Sequence, residues 1–357
     1  MTKRLLLGFA GIVLLTLLYF LLWPVPFDPA AWTPDELPPP TGEYEPNTRL
    51  SAMERFQVGL GPEDVAFDDQ GRLYTGLEDG RIMRFTPGVS KPEVFCDTEG
   101  RPLGLEFDAT GNLLVADAVR GLLEVSPNGD VTLLCDMVDG VPVLFADDLD
   151  IAQDGAIYFS DLSTKYSYSE SMIAFFEFRP HGRLYVYDPK TEEAQLVLEG
   201  LYCANGVAVS PDQSYVLVAE TYTYRVQRYW LTGPEKGRSE LFIDNLPGWP
   251  DNITSNGKDT FWLALAIGPG ARKKFDPILS KPFLRKVIYR LPEFTRNSVP
   301  MPCGYVLGLD RNGRITHNLQ DPTGEKYANI TSATEHEGVL YVGSVLEDAV
   351  GRIPVPQ

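Results

Sequence analysis

Pro62-Glu63-Asp64, Ala146-Asp147-Asp148, Ala204-Asn205-Gly206 and Pro250-Asp251-Asn252 each place a carboxylate or an amide beside a small or rigid residue. Carboxylates and amide carbonyls are hard oxygen donors. Several of them around one point make the kind of site that calcium requires. Any one of these motifs alone is an ordinary turn. Together they gain meaning from position, because each stands immediately before a segment that reads as a β-strand. Other chemistries are poorly served. The three His, at 181, 317 and 336, lie outside any HExxH pair, and no GxSxG occurs, so zinc-protease and α/β-hydrolase readings lack support. Cys96, Cys135, Cys203 and Cys303 make no CxxC pair, which argues against zinc-ribbon and thioredoxin chemistry. They are either disulfide partners or small buried hydrophobes.

The elements that must position these motifs recur along the chain. FDDQGRLYTG from Phe67, FDATGNLLVA from Phe107 and IAQDGAIYFS from Ile151 share one pattern, which VSPDQSYVLVA from Val209, ITSNGKDTFWLA from Ile253 and TEHEGVLYVGS from Thr334 continue. Each copy reads as strand, tight turn, strand, and most are followed by another hairpin half such as GRIMRFTP or GRLYVYDP. Six units of about four strands predict an all-β, six-bladed β-propeller. Radial repetition brings the loops that enter the inner strands to one end of the central channel. The four polar motifs would therefore converge there. Two long intervals hold insertions, Lys165–Pro180 and Pro269–Pro300. Within the second, Ile278–Leu291 predicts an amphipathic helix interrupted near Pro282. Both insertions would overhang one propeller face.

The chain has 357 residues, 44% hydrophobic and 22% charged, which is globular composition. Lys plus Arg total 31 against 49 Asp plus Glu, a net charge of −18. That surface repels phosphate backbones and excludes a nucleic-acid partner. It suits cation binding where carboxylates converge. Leu5–Trp23 carries no charge and, as a helix, spans roughly 30 Å of hydrocarbon. Lys3 and Arg4 precede it, and no Lys or Arg follows until Arg49. This asymmetry predicts a signal anchor over 1–23 with its N-terminus cytoplasmic and the globular part outside the cytoplasm. A Pro-rich extended spacer over 24–50 leads to the propeller over 51–357. Asn252-Ile-Thr254 and Asn329-Ile-Thr331 match the glycosylation triplet.

GPEDVAFD, RPLGLEFD, FADDLDIAQDGAIYFSDLSTKY, LYCANGVAVSPD, LPGWPDNI, LQDPTG and EHEGVLYVGS run from Gly61 to the C-terminal region. In combination they resemble the strictosidine synthase-like branch of the senescence marker protein 30, gluconolactonase and paraoxonase superfamily. The resemblance implies a six-bladed propeller with Ca2+ in its channel. It makes Glu63, Asp147, Asn205 and Asp251 the metal ligands, and Asp251 also the catalytic base or nucleophile. Asp148 and Asn252 become supporting neighbours of those ligands. Relatives usually carry Asn where Asp147 stands, so this chain has an added negative charge near the ion. The catalytic Glu of true synthases falls at Thr331 or Ser332, which disfavours amine–aldehyde condensation. The expected function is calcium-dependent hydrolysis of a small lactone or aryl ester. The alternative is a non-catalytic propeller scaffold stabilised by calcium.

Overall fold

The computed structural model describes residues 2–88, 91–293 and 302–356. Among them, six four-stranded antiparallel sheets form the blades of a β-propeller. The inner strands are Ala66–Phe67, Pro102–Phe107, Ala146–Ile151, Ala204–Val209, Trp249–Ser255 and Ser332–His336. Five blades are simple meanders in chain order. The fifth takes its outer strands, Gly304–Leu309 and Ile315–Asp321, from beyond the second insertion. The sixth blade is composite. Three strands come from the C-terminal region, and the outermost is Glu54–Gln57, paired antiparallel with Ala349–Pro354. The two ends of the propeller are thereby hydrogen-bonded to each other, and the ring has no open seam.

The repeated turn has a mechanism. Asp68 Oδ1 accepts from the backbone N–H groups of Gln70 and Arg72, and Asp108 Oδ1 from those of Thr110 and Asn112. Gly111, in the left-handed region at φ 88°, completes the second turn. The apolar residues that alternate along the strands seal the blade interfaces. Leu105, Leu113 and Val115 pack on Tyr74 and Ile82 of the preceding blade, and Leu263, Leu307 and Leu309 pack on Leu217 and Tyr215.

Both insertions cap the same face. The first holds α2 (Ser171–Glu177), and the second holds α3 (Pro269–Leu279) and α4 (Pro282–Tyr289). The interruption expected near Pro282 within Ile278–Leu291 falls at Ser280–Lys281, between the end of α3 and the start of α4, because Pro282 opens a new helix at its first position. Phe175, Phe176, Phe178 and Leu279 form one cluster with Phe145, Leu162 and Tyr222 of the propeller. Residues 24–48 run extended but are strapped to this cap. Trp32 stacks on Phe178 at 5.1 Å, and the Ala30 N–H donates to the Glu177 carbonyl at 2.9 Å. The buried Glu177 carboxylate accepts from Lys165 Nζ at 2.7 Å and the Asp28 N–H at 3.1 Å, and lies 2.8 Å from His181 Nε2. Ahead of the strap, α1 (Thr2–Leu22) is an apolar helix long enough to cross a membrane, and its spanning stretch buries nothing against the propeller. All four cysteines are free.

Candidate metal and active site

The inner strands of blades two to five share an irregularity. Their pairing register shifts between Pro102 and Leu105, Ala146 and Leu149, Ala204 and Val207, and Pro250 and Ile253. The two residues inside each shift are Leu103-Gly104, Asp147-Asp148, Asn205-Gly206 and Asp251-Asn252. A bulge re-aims side chains at the end of a strand. Here the first residue of each pair lines one cavity of about 270 Å³ under the cap. Glu63, in the loop entering the first inner strand, lines it too. The structure therefore brings together Glu63, Asp147, Asn205 and Asp251, all four of the residues singled out from sequence.

In blades two to four the second residue of the pair faces the next blade, while Asn252 of blade five turns to Glu63. Asn252 Nδ2 donates to both carboxylate oxygens of Glu63, at 3.0 and 3.3 Å, and so orients that acid across the channel. Asp148 is turned away from the cavity. Its Oδ2 accepts the Val207 N–H at 2.7 Å and its Oδ1 the Leu149 N–H at 2.8 Å, tying blade three to blade four. Gly206 is required by proximity, since a Cβ there would stand 2.4 Å from the Ile253 nitrogen. In blade six, Thr331 Oγ1 and Ser332 Oγ both donate to the Glu63 carbonyl, at 2.8 and 2.9 Å. These hydroxyls position Glu63 from behind.

Charge is concentrated at the cavity. Burial pushes the Glu63 carboxyl well above its usual range, and Asp64, Asp251, Asp147 and Asp148 add to the shift. Burial and then Asp251 raise Asp147 against the pull of Arg101. Burial carries Asp251 up to about 7, with the Asn205 side chain opposing through a hydrogen bond. Asn205 Oδ1 is buried without a hydrogen-bond partner among the described residues. An orphaned amide oxygen among desolvated carboxylates is a donor set that a hard divalent cation fits. Among the described residues no group of three or more His, Cys, Asp or Glu side chains is placed to hold a metal ion without a further donor. The three acids line the cavity together with the Asn205 amide.

Above the donors the walls are apolar: Leu103, Phe145, Leu162, Tyr222, Trp249 and Leu346. Arg101 was not singled out from sequence. It is 1% exposed, its Nε lies 3.2 Å from Glu78 Oε2, and it opposes the shift of Asp147. The equivalent positions of blades three to five hold Phe145, Cys203 and Trp249, so the repeat gave no signal for it. Asn329 also lines the cavity and donates to the Ala266 carbonyl at 3.0 Å. Both glycosylation triplets thus begin with buried asparagines. None of the His lines the cavity: His336 stacks on Phe67 at 4.0 Å, and His317 packs on Trp262. A larger apolar groove of about 480 Å³, lined by Phe56, Phe67, Phe85, Tyr341 and Val350, contains none of the predicted donors.

The chain is similar to known proteins in sequence and in fold. The strictosidine synthase profile matches residues 147–234, and the strictosidine synthase-like N-terminal profile matches residues 42–85. Adipocyte plasma membrane-associated protein of Rattus norvegicus is 35% identical over 351 residues, covering 92% of this chain and 93% of that protein. Strictosidine synthase-like protein 6 of Arabidopsis thaliana is 36% identical over 338 residues, covering 92% and 89%. Among solved structures, a gluconolactonase of Xanthomonas campestris superposes with a TM-score of 0.61 at 18% identity, covering 85% of this chain and 88% of that one. The calcium-binding protein regucalcin of Agrobacterium tumefaciens superposes at 0.58 and 14% identity, covering 84% and 92%. At those identities the structures speak for the fold alone. The curated relatives match nearly end to end, and on that ground the chain belongs to the strictosidine synthase-like family.

Proposed function

We propose that this protein is a membrane-anchored, calcium-dependent hydrolase of lactones or aryl esters. The observation that carries the reading is the convergence of Glu63, Asp147, Asn205 and Asp251, from four blades, on one apolar-walled cavity. Calcium held by these four would polarise the substrate carbonyl and stabilise the charge that develops on its oxygen. Asp251 is suited to the proton work. In the ion-free protein its carboxyl sits at about 7, and a bound cation would lower it, so at neutral pH it would be a carboxylate able to accept a proton. It takes a proton from the attacking water as the new C–O bond forms at the acyl carbon. It returns that proton to the departing alkoxide as the ester bond breaks. Asn252, Thr331 and Ser332 hold Glu63 in place, and Phe145, Tyr222 and Trp249 receive the apolar part of the substrate. The anchor reading rests on Lys3 and Arg4 in the first turn of α1, ahead of its uncharged apolar run.

Asp251→Asn tests the chemistry. The amide keeps an oxygen for the cation and loses the base. Calcium binding measured by calorimetry should be largely retained, while hydrolysis of a lactone and aryl-ester panel falls ~10²-fold or more. Full activity in this variant would remove Asp251 from the reaction. A second reading is a non-catalytic scaffold. It is favoured by the burial of mutually repelling acids from different blades, which an ion would stabilise whatever the protein does. Wild-type protein that binds calcium and turns over nothing in the panel would select that reading.

A further inference from the structure

The second insertion departs from the charge of the whole chain. Residues 272–290 carry seven Lys or Arg against a single acid, Asp276, in a protein of net charge −18. Three of the seven are structural. Arg272 is fully buried and bonds Asp276, Asn245 and the Leu246 and Asp35 carbonyls. Arg285, also buried, bonds the Phe176 and Ala30 carbonyls. Arg290 reaches α1, where its guanidinium donates to the Phe20 carbonyl at 2.7 Å and the Trp23 carbonyl at 2.7 Å. Tyr19 Oη returns the contact by donating to the Arg290 carbonyl at 3.2 Å. The C-terminal end of α1, with its unsatisfied carbonyls, is therefore capped by the end of α4.

The remaining cations face outward. Lys273 and Lys281 are exposed, and Lys286 is half-buried, 3.9 Å from Asp28. Beside Lys281 stand Phe283, 59% exposed, and Leu284, 37% exposed. Large apolar side chains flanked by lysines at a helix start are the composition of a segment that lies in a membrane interface. Phe283 is seven residues before Arg290, about 10 Å along a helix. Tyr19 and Trp23 at the end of α1 are residues that settle at the headgroup level.

We propose that the start of α4 is a docking surface for the anionic headgroups of the bilayer that α1 crosses, with Phe283 and Leu284 inserted and Lys281 and Lys286 among the headgroups. The occupant follows from continuity with α1 and from charge complementarity. The same cap covers the candidate site, so docking turns that face of the propeller toward the membrane. The inference rests on the anchor reading of α1 and is independent of the catalytic one.

The test uses the full-length chain in nanodiscs of phosphatidylcholine, with or without phosphatidylserine. Single nitroxide labels are placed through Ile12→Cys in α1, Phe283→Cys in α4, and Asp69→Cys in an inner-strand turn at the opposite end of the propeller. At 283 the expected result is greater relaxation by oxygen than by a water-soluble nickel chelate in the anionic discs. The ratio should fall in neutral discs, and also in anionic discs after Lys281→Glu with Lys286→Glu. At 69 nickel should dominate throughout. A label at 283 as nickel-accessible as that at 69 would overturn the docking surface. Shielding from both reagents with dipolar broadening would assign the surface to a second copy of the chain and overturn it equally. A label at 12 that oxygen does not favour would instead remove the anchor reading. Near-UV circular dichroism confirms that each variant is folded.

Discussion

Glu63 owes its orientation to one amide: Asn252 donates to both of its oxygens. A residue that holds a ligand is worth about 10–100-fold in metal affinity. Asn252→Ala should therefore weaken calcium binding by that much, read by calorimetry, and unchanged affinity would mean that Glu63 is placed by its backbone alone. The cavity acids also predict a pH dependence. Ligation needs the carboxylate, yet burial raises Glu63 and Asp147 well above their usual range and Asp251 to about 7. Protons then compete with the cation, and calcium affinity should fall as the pH drops from about 8 to about 6. The sign for the ion-free protein is the reverse. An acid whose folded pKa is raised stabilises the fold at low pH and loses that contribution as pH rises through about 7. Thermal unfolding should accordingly show a calcium-induced gain that grows between about pH 6 and about pH 8. A gain that shrinks over that interval would mean that these acids are not the ligands.

At the scale of the element, the device is the two-residue bulge at the start of each inner strand from blade two to blade five. It lets adjacent residues of one strand serve two ends: the cavity and the next blade in blades two to four, and the cavity and Glu63 in blade five. The cost is close approach of neighbouring backbones. Gly206→Ala would place a methyl 2.4 Å from the Ile253 nitrogen and 2.5 Å from the Asp251 carbonyl oxygen. Backbone cannot yield as a side-chain tip does. The substitution should cost roughly 1–3 kcal/mol in chemical denaturation and displace Asp251. Lost hydrolysis with unchanged stability would show that the site moves more easily than the blade interface. Asp148 illustrates why such roles escape a sequence reading. It looks like a second cavity acid, and its carboxylate is committed to the backbones of Leu149 and Val207.

For the whole molecule, the critical contact is the closure of the ring. Glu54–Gln57 pairs with Ala349–Pro354 in the register Arg55 with Gly351 and Phe56 with Val350. Arg55 adds ion pairs to Glu347 at 2.7 Å and Asp348 at 2.9 Å. In an antiparallel ladder alternate residues bond the partner, so Pro at both 55 and 56 removes whichever N–H is used. The double variant should lose about 1–3 kcal/mol for the hydrogen bond alone. Hydrogen exchange should show protection lost first along Ala349–Pro354. Loss spread evenly over all six blades would mean that the ring unfolds as one unit from any point.

By itself the sequence determined the repeat, the number of blades and the four polar motifs. Each depends on local chemistry: Asp-x-x-Gly turns, strand alternation, and a polar motif at one offset before each inner strand. An axial fold converts equal offsets into a common point, so the four motifs could be found without coordinates, and the family resemblance singled out Glu63, Asp147, Asn205 and Asp251 within them. Only the tertiary structure decided what depends on contacts distant in sequence. The pairing of Glu54–Gln57 with the C-terminal strand carries no repeat signal. The strap of residues 24–48 reads as a spacer because its partners, such as Phe178 and Tyr224 against Trp32, lie far along the chain. Arg101 lies near Asp147 only because blades two and three are adjacent in space. The divided roles of Asp147 and Asp148 follow from a bulge, a matter of backbone pairing, and two neighbouring aspartates do not reveal which of them turns inward.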